Sequence, residues 1–250
     1  MGTRDIWVYD LKRDTGSRLT IDPADDLCPV WSHDGRTIMF TSNRQGQRDL
    51  YEKPANGLGK TKLVYASKDH AKNLMDWSLD GRYALYETDS SPDDLWVFPL
   101  FGDRKPSASG EGSASAEQAR FSPDGRYMAY TSNETGRGEV YVQTFPQHLG
   151  KWTVSNSGGV EPMWRQDGNE LFYLKPDDTM TSVEVKTRAG EFQAGIPKPL
   201  FQVQLITGDW RNRYVASPDG QRFLMLVPAG DAKPEPITVV VNWPALLKKQ

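Results

Sequence analysis

Residues able to do covalent or metal chemistry are sparse in this chain. It has three histidines, His33, His70 and His148, and one cysteine, Cys28. A catalytic zinc site needs His, Cys or carboxylate ligands at tight spacing, such as His-Glu-x-x-His, and none of the three histidines has such neighbours. His33 fills a turn position, and His70 and His148 fall in polar loops. A serine hydrolase would show Gly-x-Ser-x-Gly at a strand-to-helix turn. The nearest segment, Gly110-Glu111-Gly112-Ser113-Ala114-Ser115, breaks that pattern and reads as a polar linker. No Gly-rich phosphate loop, His-Arg-Asp or Asp-Phe-Gly occurs. The expectation is therefore a chain with no catalytic residue, no metal site and no cofactor.

Two recurrent residue types could still bind something. Asp5, Asp49, Asp94 and Glu139 each precede an apolar-aromatic pair. One carboxylate per repeat lacks the dense oxygen ligands of a calcium loop, so hydrogen bonding to a nearby turn backbone is the expected role. Trp31, Trp77 and Trp164 share one position and are expected in the core between sheets, not as sugar-stacking platforms.

The elements that would carry these residues are set by one repeated pattern. Phe121-Ser122-Pro123-Asp124-Gly125 recurs as Trp31-Ser32-His33-Asp34-Gly35, Trp77-Ser78-Leu79-Asp80-Gly81, Trp164-Arg165-Gln166-Asp167-Gly168 and Ala216-Ser217-Pro218-Asp219-Gly220. A run of β-formers follows each, as in Tyr127-Met128-Ala129-Tyr130. Proline fits the first central position of a type I turn, serine can bond back to the turn backbone, and glycine supplies the left-handed residue that restarts the strand. The pattern predicts five hairpins. Their glycines step by 46, 44, 43 and 52 residues, the length of a four-stranded propeller blade.

About 15 residues beyond three of these glycines come Asp49-Leu50-Tyr51, Asp94-Leu95-Trp96 and Glu139-Val140-Tyr141, which predict third strands. Lys62-Leu63-Val64-Tyr65, Trp152-Thr153-Val154 and Pro199-Leu200-Phe201 predict edge-like fourth strands. The fourth repeat has Met180–Val185 in the third-strand slot, and the fifth has an extra segment around 206–210. Asp5-Ile6-Trp7-Val8-Tyr9 and Arg18-Leu19-Thr20-Ile21 are a third and a fourth strand with no hairpin before them. Ile237–Val241 is the last third strand, and Trp243–Leu247 a closing strand or short helix. The expected fold is all-β: one propeller domain over 1–250, with a partial blade at 1–22 and blades at 23–66, 67–109, 110–156, 157–203 and 204–250. The unmatched first strands suggest that further blades precede it in a larger propeller.

Thirty basic against 33 acidic residues, scattered without runs, give a net charge of −3 and no electrostatic case for nucleic acid or an anionic membrane. One cysteine precludes an intrachain disulfide. The first residues lack the apolar core of a signal peptide, and no window approaches the roughly 18 apolar residues of a spanning helix, so the chain as given is expected to be soluble.

The hairpin motif, Asp-Ile-Trp-Val-Tyr-Asp-Leu from Asp5 and Thr-Ser-Asn-Arg from Thr41 resemble the TolB-type, WD-repeat-like propeller. More narrowly, Asp94–Pro106, Glu139–Pro146 and Pro236–Trp243 are similar to the C-terminal propeller of bacterial transmembrane serine/threonine protein kinases. That resemblance covers the whole chain. It implies a kinase domain and a membrane helix upstream, an extracytoplasmic location and a sensory or protein-binding role. Propellers of this kind also accompany prolyl-oligopeptidase-type hydrolases and form polysaccharide lyases, which are the alternatives.

In propellers the links from fourth to first strands converge on the axial channel. Here they carry Asp25 and Asp26, Lys72 and Asn73, Glu117 and Gln118, Glu161, and Arg211 and Asn212. These are the expected contacts for a protein, peptide or small ligand.

Overall fold

The computed structural model describes residues 4–90, 94–109, 114–188, 191–207, 213–228 and 238–241, and these contain strands and turns without a helix. The chain divides into two compact units, Met1–Ser115 and Ala116–Gln250.

In the first unit, β1 (Trp7–Asp10) and β2 (Thr15–Arg18) form a two-stranded hairpin. β3 (Asp26–Trp31), β4 (Thr37–Gln45), β5 (Gln47–Pro54) and β6 (Lys62–Tyr65) follow as an antiparallel sheet in chain order. β7 (Lys72–Trp77), β8 (Tyr83–Thr88), β9 (Leu95–Pro99) and β10 (Ser107–Ala108) make the next. In the second unit the sheets are β11 (Ala116–Phe121), β12 (Tyr127–Ser132), β13 (Glu139–Thr144) and β14 (Lys151–Thr153), then β15 (Val160–Trp164), β16 (Glu170–Leu174) and the long β17 (Thr179–Arg188). The far half of β17 pairs with β18 (Glu191–Ala194) and its near half with β19 (Lys198–Gln202). β20 (Tyr214–Ala216), β21 (Arg222–Met225) and β22 (Thr238–Val241) form the last sheet.

Burial follows from stacking. All six residues of β12 are buried, as expected of a strand covered on both faces. Between the two unit-1 sheets lie Met39, Leu50, Leu74, Ala84, Tyr86 and Phe98. Between the first two unit-2 sheets lie Tyr127, Val140, Val142, Leu171, Tyr173 and Val183. First strands pack on first strands, β3 against β7 and β11 against β15. Each of these four carries a register shift, between Leu27 and Val30, Leu74 and Asp76, Glu117 and Arg120, and Val160 and Met163. Such bulges bend a strand and re-aim one side chain.

The turns form as the motif requires. Ser122 Oγ donates to Asp124 Oδ1 at 2.6 Å and accepts from the buried Tyr127 N–H at 2.9 Å, while the Gly125 N–H donates to the Ser122 carbonyl at 2.9 Å. Gly125 has φ +68°, the left-handed conformation that favours glycine. Ser32, Ser78 and Ser217 repeat both hydroxyl bonds. Where the fourth repeat has Arg165, its guanidinium holds Asp167, whose carboxyl is pulled down to about 2, first by that hydrogen bond. Ser122→Ala is expected to cost about 1–2 kcal/mol in urea denaturation, because it strands the Tyr127 N–H. Burial alone would raise the Asp124 carboxyl, but the hydrogen bonds from Ser122 and Arg126 bring it below its ordinary value. Its contribution is present above the ordinary aspartate range and fades as pH falls through the lowered value, so the Ser122→Ala deficit should narrow in acid.

Three expectations change. The strand expected at Arg18–Ile21 is Thr15–Arg18, with Trp7 opposite Arg18; Leu19 and Thr20 continue past it by donating to the Ile6 carbonyl. β10 and β18 are strands that the apolar pattern does not reveal, being two residues long and mostly exposed respectively. Trp31 is 48% exposed, whereas Trp77 and Trp164 are partly buried against the sheet cores. The reason is the layer beneath. Trp164 lies over the first strand of the preceding blade and donates to the Arg120 carbonyl at 3.3 Å, but the sheet before Trp31 contains only third- and fourth-strand equivalents. The segments 110–113, 208–212, 229–237 and 242–250, with the Gly-Glu-Gly-Ser linker, the extra-segment residues 208–210 and the closing Trp243–Leu247, lie outside the described residues.

Candidate functional site

The repeated carboxylates are structural clasps. Glu139 accepts from Arg137 Nε at 2.6 Å, from the Gly158 N–H at 3.0 Å and from Ser155 Oγ, and Ser155 Oγ in turn accepts from the Val140 N–H at 2.8 Å. Burial would raise the Glu139 carboxyl, but those donors, Ser155 foremost, hold it below its ordinary value. Asp5 is placed likewise, with Arg18 at 2.6 Å and Thr20 at 3.4 Å, and Thr20 Oγ1 accepts the Ile6 N–H. Glu139 thus meets the expected turn backbone. Asp49 departs from that expectation, because its oxygen is taken by the Lys72 ammonium at 2.8 Å. Among the described residues no three His, Cys, Asp or Glu side chains gather into a metal-ligating group.

The sequence-expected contact residues fall into distinct places. In the first unit Asp26 is 1% exposed and held by Arg44 Nη2 at 3.0 and 3.2 Å; Arg44 also lies over the Tyr51 ring at 4.8 Å. Lys72, also 1% exposed, spends its ammonium on Asp49 and the carbonyls of Ser67 and His70. Asn73 is partly buried and donates to Glu87 at 3.5 Å. In the second unit Glu117 is partly buried on β11. Gln118, at φ +56° on its bulge, accepts from Thr131 Oγ1 at 2.9 Å and the Glu161 N–H at 3.0 Å. Glu161, 2% exposed, accepts from Arg213 Nε at 2.6 Å and the Arg213 N–H, while Arg213 Nη1 reaches Asp178 at 3.2 Å. Burial pushes the Glu161 carboxyl up, against the pull of Arg213. Arg211 and Asn212 lie outside the described residues.

Above the buried pairs, the first unit opens a polar cleft of about 650 Å³ lined by Arg4, Asp25, Asn43, Arg48, His70 and Asp89 among others. Its walls are built by a repeated cap. Asn43 and Asp89 stand eight residues after their turn glycines, where each side chain accepts the N–H of the link entering its sheet, Asp25 at 2.9 Å and Ala71 at 3.0 Å. Arg4 Nη2 donates to Asp25 at 3.2 Å and Arg48 Nη2 to Asp89 at 3.4 Å. The guanidinium side chains are 59% and 32% exposed. Exposed pairs of this length are weak and exchangeable, so each arginine can turn to an arriving acceptor. Sequence reasoning reached the link at Asp25 but missed Asn43, Arg48 and Asp89; the signal was the polar residue eight positions beyond the glycine.

No protein-family model matches the chain. The Tol-Pal system protein TolB of Wolinella succinogenes is 29% identical over 147 residues, which are 55% of this chain and 33% of the relative. The crystal structure of TolB from Acinetobacter baumannii superposes with a TM-score of 0.71 at 16% identity, covering 94% of this chain and 56% of that one. The fold is a TolB-like β-propeller. The chain spans about a third of the curated relative and about half of the crystal structure. An oligogalacturonate lyase in complex with manganese also superposes, with a TM-score of 0.58 and 12% identity over 98% of this chain and 84% of that one. No helix among the described residues is long and apolar enough to cross a membrane.

Proposed function

We propose that this TolB-like propeller is a non-catalytic recognition module that seats a peptide segment of a protein partner in the cleft of the first unit. The observation that carries this reading is the two Arg–Asp pairs that line the cleft, Arg4–Asp25 and Arg48–Asp89, set beside the strands that hold the buried pairs Arg44–Asp26 and Lys72–Asp49. Such a surface offers both charge signs to a polar chain and holds no nucleophile beside a base. The relative is named a Tol-Pal system protein, which supports a protein partner. Asn73, partly buried in the first unit, and Glu117, Arg211 and Asn212 of the second unit are kept as candidate contacts separate from this cleft. In the same reading the chain is one propeller domain over 1–250, carried behind further blades and a membrane-anchored serine/threonine kinase as its extracytoplasmic sensor; the support for this part is the sequence resemblance of Asp94–Pro106, Glu139–Pro146 and Pro236–Trp243.

A photo-crosslinking residue at Gln47, in the cleft lining, tests this in the full-length protein in its own cells. A discrete protein adduct is expected, and it should fall about tenfold with Arg48→Ala, the effect of about 1.4 kcal/mol from one charged contact. Adduct formation indifferent to Arg48 removes the cleft from the reading. A complete reading frame without a kinase removes the sensor role alone.

The lyase neighbour supports a second reading as a polysaccharide lyase. Unsaturated product from oligogalacturonate with manganese would establish it. The hydrolase-accessory reading requires an α/β-hydrolase fused to the same chain.

A further inference from the structure

The first sheet of unit 1 departs from a pairing that three of the other sheets share. In three four-stranded sheets the aromatic residue of the third strand lies opposite an aromatic residue of the second: Tyr51 opposite Phe40, Trp96 opposite Tyr86 and Tyr141 opposite Tyr130. The Phe40–Tyr51 and Tyr130–Tyr141 rings stack with centroids 6.3 and 5.9 Å apart, and Tyr51 and Tyr141 are 3% and 2% exposed. Trp7 holds the same place after Asp5 and Ile6, yet it is 61% exposed. Val8 is opposite Ser17 and Asp10 opposite Thr15, and the Leu19 N–H donates to the Ile6 carbonyl. By antiparallel alternation, Ile6, Val8 and Asp10 turn their backbone groups toward β2, while Trp7 and Tyr9 turn theirs to the other edge. Among the described residues no strand pairs there.

Trp31 gives a second, independent observation. Trp164 sits on the preceding first strand, β11, and Trp77, on the strand that packs against the preceding first strand β3, lies against the same core as Cys28 and Val30. Trp31 has no such strand beneath it and is 48% exposed. A second strand beside β1 and a first strand beneath Trp31 are the two arms of one hairpin.

We infer that unit 1 is the acceptor for a single β-hairpin of this protein's own repeat type, whose second strand pairs antiparallel with β1 and sets Phe or Tyr opposite Trp7. Its first strand runs under Trp31, and its turn carries Ser-x-Asp-Gly. The inference deepens the expectation of further blades within the proposed function, but its test needs no ligand. The chain's own hairpin, residues 116–132, supplies the probe, fused ahead of Arg4 through a short Gly/Ser linker so that docking is intramolecular. Amide exchange at Trp7 and Tyr9 is expected to slow at least about tenfold, and acrylamide quenching of Trp7 and Trp31 to fall. The same fusion with Tyr130→Ser in the probe copy should lose most of this protection. Unchanged exchange at Trp7 and Tyr9, with the rest of unit 1 still protected, overturns the inference, as does equal protection by the Tyr130→Ser probe. A self-associating chain, without the fusion, that already protects Trp7 would identify the occupant as a second copy and also overturn it. Failure of the crosslinking at Gln47 would leave this result untouched.

Discussion

Lys72→Ala is expected to destabilise the first unit by about 3–5 kcal/mol, the loss seen when one partner of a buried ion pair is removed. Lys72 and Asp49 are 1% and 5% exposed, and Nζ lies 2.8 Å from Asp49 Oδ1. The remaining ammonium donors go to the carbonyls of Ser67, 3.1 Å, and His70, 2.9 Å. Truncation therefore leaves a carboxylate without its cation and two carbonyls without their donor, each costly in a dry interior. The pair also ties the third strand of one sheet to the first strand of the next. Urea denaturation followed by tryptophan fluorescence measures the loss. The double variant Lys72→Met, Asp49→Leu should recover most of it, because an apolar pair of similar volume removes the desolvation problem from both sides. A Lys72→Ala protein within about 1 kcal/mol of the parent, the span of an exposed pair, would instead make Lys72 available as a ligand contact.

Arg213→Ala is expected to cost a similar amount, about 3–5 kcal/mol at neutral pH, and to cost less in acid. Arg213 Nε and its backbone N–H both reach Glu161, and Nη1 reaches Asp178. Glu161 sits at φ +58° on the bulge of β15, where its own N–H is held by Gln118 and Thr131 and its carbonyl by the Tyr214 hydroxyl at 2.8 Å. Burial raises its carboxyl above the ordinary glutamate value in spite of Arg213. A raised carboxyl favours the protonated folded state, so this contribution is complete below the unfolded value and declines as pH rises through the folded one. Glu161→Gln should remove that decline from the stability profile. The Arg213→Ala penalty should shrink toward acid, since a protonated Glu161 needs no cation. A penalty independent of pH between the acid and neutral ends would show that Arg213 acts through packing alone.

What the sequence determined is local. Ser-x-Asp-Gly closes its own turn through bonds spanning two to five residues, from Ser122 to Asp124 and to Tyr127, so it is legible wherever it occurs. The same holds for the third-strand triplet, whose alternation fixes which face Leu50 and Tyr51 present. The tertiary structure decided what depends on partners far along the chain. Lys72 meets Asp49 across 23 residues and Arg213 meets Glu161 across 52, and no local pattern distinguishes these charges from solvated ones. Asp26 and Lys72 look in sequence like contacts at a channel mouth, and burial turns them into supports beneath a cleft whose own walls come from Arg4, Asn43, Arg48 and Asp89. Trp31 shares its motif with Trp77 and Trp164, yet it is exposed because burial belongs to the layer beneath a residue, and that layer is set by which strands precede it in space.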